Sequence, residues 1–161
     1  MLLCLPLFLQ YMIKLDAIGN KILHELTSDG RVSNSELAER VGLSPSACLR
    51  RVQELERSGV IQGYRAVLDR AALGIGFTAY IAVGLSDHTK AAQHAFEKSI
   101  IRSPEVVECH NITGVFEYLL RVEVTDLSAY KVFHTDVLGT LEQVSSITTY
   151  VVMESAKDQR A

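Results

Sequence analysis

From Val41 the sequence reads "VGLSPS": a glycine, one apolar residue, then the serine and proline that open a helix well. In front of it, Ser33 followed three residues later by Glu36 is a capping box, and the helix it opens is predicted to end near Val41, where Gly42 breaks it. Ser44 caps the next helix, Pro45 occupies its first position without needing an N–H partner, and Gly59 stops it after about Ser58. The connection is about three residues long, which leaves room only for a tight helix-turn-helix. An amphipathic helix precedes the pair. Leu15, Ile18, Ile22, Leu23 and Leu26 recur at helical spacing with Asp16 in the first turn, and "SDGR" from Ser28 to Arg31 supplies the bend.

At about 100° per residue, Cys48, Val52 and Leu55 of the third helix share one narrow sector, and Ser46, Arg50, Gln53 and Arg57 lie opposite. The first group is the buried seam, with Cys48 acting as a small core hydrophobe rather than a reactive thiol. The second carries hydroxyls and guanidiniums, which follow a phosphate backbone or bond to guanine edges in a major groove. Ser33 and Asn34 start the second helix, where outward N–H groups favour a phosphate. Ser44, Pro45 and Ser46 start the third, the end that enters the groove in such units. Arg50 points away from the core and is expected to contact base or groove. Arg51 lies on the flank, within reach of phosphate, Glu54 or Glu36, and is expected to contact the DNA backbone.

Beyond Gly59, "VIQGYRAVLD" alternates as a short strand or arm would, and a boundary is expected between Asp69 and Gly76. Strand patterns follow at 77–85, 105–113, 117–124 and 145–153, and helix patterns at 88–102 and 128–138. The resulting order, β-α-β-β-α-β, is the ferredoxin-like arrangement with both helices on one face of a sheet. The fold class is therefore α+β. A winged-helix-like helix-turn-helix domain (15–63) follows an extension (1–14), and a strand-containing linker (64–75) joins it to a ferredoxin-like domain (76–161).

The composition fits this division. Of 161 residues 48% are hydrophobic, enough for a packed globular chain, and the formal net charge of −3 excludes a uniformly basic coat. Cys4, Cys48 and Cys109 form no CxxC or Cys/His ligand pattern, so neither a disulfide framework nor a metal site is expected, and a reducing cytoplasm suits them. The N-terminal "MLLCLPLFLQYM" lacks a signal's basic start and cleavage site and is shorter than the roughly 18 residues of a spanning helix, so no membrane association is expected. Met12 is the expected start, the preceding residues being an extension or a start-site artefact. Catalysis has no support: His88 and His94 fall on different sides of a helix, Cys109 and His110 on opposite faces of a strand, and there is no phosphate loop or nucleophile turn.

The stretches "LDAIGNKILHEL", "DGRVSNSELAERVGLSPSACLRRVQELERSGVIQGYRAVLD", "TGVFEYLLRVEV" and "TTYVVM" together resemble the Lrp/AsnC, or feast/famine, family of bacterial and archaeal transcription factors. The likeness runs from Met12 to the C-terminus, and its most specific part is the helix-turn-helix followed by "GVIQGY". It implies a non-enzymatic, sequence-specific regulator of amino-acid metabolism or transport genes, with no cofactor. Double-stranded DNA is the implied partner. It further implies dimers formed through the sheets, commonly assembled into octamers, and an effector domain (the RAM domain) that binds an amino acid or related metabolite between dimers. By resemblance, Thr113, Gly114, Glu117 and Tyr118 form the effector turn, with Thr149 and Val151 on the last strand beside it. The family's turn usually reads Gly-x-x-Asp-Tyr. Glu117 keeps the carboxylate but moves its oxygens by about a bond length, enough to change which ligand fits. The family's acidic pair around the first helix is half present: Asp16 remains, and Gly19 stands at the other position, a change expected to affect helix stability more than function. An architectural DNA binder whose second domain only oligomerises, and a ferredoxin-like metabolite-binding module or enzyme with an incidental front domain, are the rival readings.

Overall fold

The computed structural model describes residues 15–158; Cys4, the apolar N-terminal stretch and the choice between Met1 and Met12 lie outside the described residues. The chain divides into two compact units, one ending at Ala66 and the other beginning at Val67.

The first unit is three helices, α1 (Ala17–Ser28), α2 (Asn34–Val41) and α3 (Pro45–Arg57). α1 starts at Ala17 rather than Leu15 because Asp16 is extended and its carboxylate accepts the Gly19 N–H at 2.7 Å. Asp16 is thus the cap of this helix and not part of its first turn. Ser33 and Ser44 cap α2 and α3 in the same way, accepting from Glu36 N at 3.2 Å and Ala47 N at 3.4 Å. Each such cap stabilises by about 1 kcal/mol. Glu36, the other half of the predicted capping box, sends its carboxylate to Arg40 at 2.6 Å. Gly42 closes α2 at φ 75°, a left-handed conformation that a side chain would strain.

Ile22, Leu37, Ala38, Val41, Cys48 and Leu55 make the buried core of this unit. Cys48 is fully buried, and burial pushes its thiol up from its ordinary pKa, so it packs as a neutral small hydrophobe. Cys48→Ser, which buries a hydroxyl in that seam, is expected to destabilise the unit by about 1–3 kcal/mol, read as a lowered unfolding midpoint in urea. The segment after Ile61 differs from expectation. Residues 62–69 form no strand, and Tyr64, Val67 and Leu68 are left exposed.

The second unit contains β1 (Phe77–Leu85), α4 (Lys90–Ile100), β2 (Val106–Asn111), β3 (Tyr118–Val124), α5 (Leu127–Val132) and β4 (Val144–Val151). The strands pair antiparallel in the order β2-β3-β1-β4, which is the predicted ferredoxin-like topology. Alternate residues of β1 (Ala79, Ile81, Val83, Leu85) and β3 (Tyr118, Leu120, Val122, Val124) face one way and pack against Phe96 and Ile100 of α4 and Tyr130 of α5. That alternation places both helices on one face.

The helix expected over 128–138 stops being α-helical after Val132. Phe133–Val137 form a wider π turn and Leu138–Thr140 a 3-10 turn. Phe133 and Leu138 are both core residues, and five positions would set them about 140° apart on an α-helix. The wider turn lets both point inward.

On the other face, Arg121 is a buried cation, 3% exposed. Glu108 and Glu123 from the sheet, Asp158 from the C-terminal segment and Arg70 from the linker gather around it.

Candidate functional site

The helix-turn-helix side chains separate into those that build the unit and those left for a ligand. Asn34 Nδ2 donates to the Pro45 carbonyl at 2.8 Å, fastening the start of α2 to the first residue of α3. Ser33 and Ser44 are engaged as caps, and Ser46 Oγ lies 3.4 Å from Ser44 Oγ. Arg40 ties α2 to α1 through Glu25 at 3.0 Å.

Arg51 takes Glu54 at 3.5 Å and also Asp16, forming a pair between α3 and α1; Glu36 is held by Arg40 instead. The Gly19 N–H, ahead of the Arg51 charge, holds the Asp16 carboxyl below its usual range against the opposing push of burial. A β-carbon at Gly19 would stand 3.1 Å from an Asp16 oxygen and 3.9 Å from Arg51 Nη2. The glycine therefore leaves room for this inter-helix pair, a role beyond the helix-stability effect read from sequence.

Arg50 is exposed and has no hydrogen bond or ion pair among the described residues. Arg57, by contrast, donates through Nε to the Gln53 carbonyl at 3.2 Å. Leu49, at the margin of the outward stripe, is 47% exposed, which the sequence reading missed. Its position outside the Cys48–Val52–Leu55 seam was the available signal.

In the second unit, Thr113 and Gly114 lie in the turn between β2 and β3, and Gly114 has φ 148°. Glu117 is turned inward. Its Oε2 accepts the Leu85 N–H at 2.7 Å, at the point where the β1–β4 register shifts between Gly84 and Leu85. Tyr118 is a core residue, 1% exposed, its ring 4.6 Å from that of Phe96 and its hydroxyl donating to Glu97 at 2.8 Å. Burial, more than Glu97, pushes its phenol up from the ordinary range.

Thr149 and Val151 are not beside these residues. They pair with Ile81 and Ala79, whereas Tyr118 pairs with Val83 on the opposite side of β1. Thr149 shares a hydrogen bond with Tyr130 in a shallow groove with Leu127, Lys131 and His134. Thr113, Gly114 and Glu117 thus lie at one turn, Tyr118 follows it with its side chain in the core, and Thr149 and Val151 stand apart.

Among the described residues no group of His, Cys, Asp and Glu is arranged to hold a metal ion, and no helix is long and apolar enough to cross a membrane.

A capped helix-turn-helix with an outward arginine, joined to a ferredoxin-like unit with a glycine turn, defines a two-part DNA-binding regulator of transcription. Residues 15–62 match the winged helix-turn-helix DNA-binding family model, and residues 78–161 match that of the Lrp/AsnC ligand binding domain. The chain is 43% identical over 143 residues to the leucine-responsive regulatory protein of Escherichia coli K12, covering 89% of this chain and 87% of that one. Among solved structures, a transcriptional regulator of Neisseria meningitidis in complex with L-methionine is similar at TM-score 0.86 and 38% identity, covering 89% of this chain and 93% of that one. An AsnC family regulator of Agrobacterium tumefaciens is similar at TM-score 0.85 and 32% identity, over 89% and 94%. The chain belongs to the Lrp/AsnC family of transcriptional regulators. Its homologues and fold are those of regulators, not of enzymes.

Proposed function

We propose that this chain binds operator DNA sequence-specifically and that an amino acid or related metabolite sets its regulatory state, controlling genes of amino-acid metabolism or transport. The observation that carries the DNA-reading role is Arg50: an exposed guanidinium without a partner among the described residues, on a helix whose other arginines are engaged. Arg50 reads a base edge, Leu49 meets a thymine methyl, and the first turns of α2 and α3, at Ser33, Asn34, Ser44, Pro45 and Ser46, lie against phosphates. Arg51 positions α3 through Asp16 rather than gripping the backbone. The 15–63, 64–75 and 76–161 division gives each role its own segment.

The active form is a dimer through the sheet face opposite α4 and α5, assembled further into an octamer in the cytoplasm. Paired recognition helices then reach half-sites about one helical turn apart or a multiple of it. The effector is an α-amino acid at the turn of Thr113, Gly114, Glu117 and Tyr118, with Thr149 and Val151 supplied across an inter-dimer contact. The separation of these residues within one chain favours such a shared site, and the Neisseria relative solved with L-methionine supports the ligand class. Glu117→Gln keeps an acceptor for Leu85 N–H and removes the charge an ammonium would meet. It is expected to weaken amino-acid binding by about tenfold or more in calorimetry, the equivalent of a charge-assisted hydrogen bond.

The inward turn of Glu117 and the burial of Tyr118 favour a second reading, an architectural DNA binder without an effector. Selection of duplexes from a random pool, followed by footprinting with and without each proteinogenic amino acid, separates the two. Specific protection that no amino acid alters would leave the architectural reading.

A further inference from the structure

Glu117 Oε2 is occupied by Leu85 N–H, and its other oxygen faces His88, whose Nδ1 stands 3.3 Å away. The His88 side chain is 75% exposed and that of Glu117 17%, so the imidazole lies on the solvent side of the carboxylate. The loop that carries it is pinned at both ends. Ser86 N donates to the Gln143 carbonyl at 2.8 Å, and Asp87 accepts from Thr89 N at 2.9 Å and from the Thr89 hydroxyl at 3.2 Å. Thr89 in turn caps α4. The backbone on both sides of His88 is therefore fixed, and its imidazole stands beside the carboxylate.

We propose that His88 sets the affinity of the effector turn: its imidazole stands against the Glu117 oxygen that an α-ammonium must take, so the effector binds by displacing it. This rests on the amino-acid reading above and adds a competitor to it. Glu117 carries one oxygen to the end of β1 and leaves the other facing the β1–α4 loop. Only a ligand whose ammonium outcompetes an imidazole for one oxygen then gains from the site, which disfavours weakly basic amines and uncharged analogues.

The test is calorimetric titration of every proteinogenic L-amino acid into the full chain, the His88→Ala variant and the His88→Lys variant. Removing the competitor is expected to tighten binding of the responsive amino acid by about two- to fivefold, the worth of one weak polar contact at the surface. Lysine, a permanent cation on a flexible stem, is expected to weaken it. These opposite signs distinguish competition from a structural role, in which both substitutions would weaken binding. Unchanged or weaker binding by His88→Ala overturns the proposal while leaving the effector reading intact. If no amino acid binds any of the proteins, the effector reading itself falls, and this proposal with it.

Discussion

Arg121→Ala is expected to destabilise the C-terminal unit by about 3–5 kcal/mol, the cost of removing one partner from a buried charge cluster. The guanidinium approaches Asp158 at 2.8 Å, Glu123 at 2.9 Å and Glu108 at 3.4 Å, and Arg70 reaches Glu123 at 3.1 Å. Burial opposes the charge of Arg121, but the Asp158 hydrogen bond and the charges of Glu123 and Asp158 outweigh it and hold the guanidinium above its usual range. Alanine would leave the Glu123 carboxylate, whose side chain is 6% exposed, beside two other acids, with Arg70 still 3.1 Å away. The fit is also imperfect as it stands. Arg121 Nε and Glu123 Oε1 are buried without a hydrogen bond among the described residues, so the ion pairs there are close without being aligned.

A double replacement by apolar residues of similar size, Arg121→Met with Glu123→Leu, is expected to cost less than Arg121→Ala alone, because it abolishes desolvated charges instead of stranding them. Chemical unfolding of the three proteins checks this. A single substitution no worse than the double one would mean that the cluster is not stabilised by its charges. Because Arg70 and Asp158 both join the cluster, the same variants are expected to loosen the linker and the C-terminal segment first, visible as faster amide exchange there.

The cluster also marks where sequence reasoning stops. Caps and turns are encoded within four residues, so Ser33, Gly42, Ser44 and Pro45 announced the helix-turn-helix directly. Alternation along β1 and β3 announced which residues face the helices, because side-chain direction has a period of two. Pairs between distant residues leave no such local signature. Arg51 meets Asp16 across 35 positions and Arg121 meets Asp158 across 37, and neither partner could be chosen by spacing. Glu117 was legible as an unusual acid in a glycine turn, but its bond to Leu85, 32 positions away, depends on a register shift that alternation does not encode. The π turn after Val132 was hidden for a related reason. The need to bury Phe133 and Leu138 together arises from the packed core, not from helix propensity.

Arg50→Ala is expected to reduce affinity for a selected operator by about 1–3 kcal/mol, roughly five- to 150-fold, and to relax preference at the base it reads. Arg40 and Arg51 tie α2 and α3 to α1 and its cap, so alanine there would disturb helix placement as well as charge, and Arg57 is engaged by the Gln53 carbonyl of its own helix. Arg50 has no hydrogen bond or ion pair among the described residues and is exposed, so its removal should leave the unfolding midpoint unchanged. Arg51→Ala is expected to show the opposite balance, with a shifted midpoint and affinity falling through the loss of the α1–α3 tie. Equilibrium binding at several salt concentrations separates base reading from phosphate contact. A phosphate-only role for Arg50 would lower the salt slope by about one and weaken all sequences alike. Selective loss on the preferred operator supports base reading, and unchanged affinity and slope would remove Arg50 from the interface altogether.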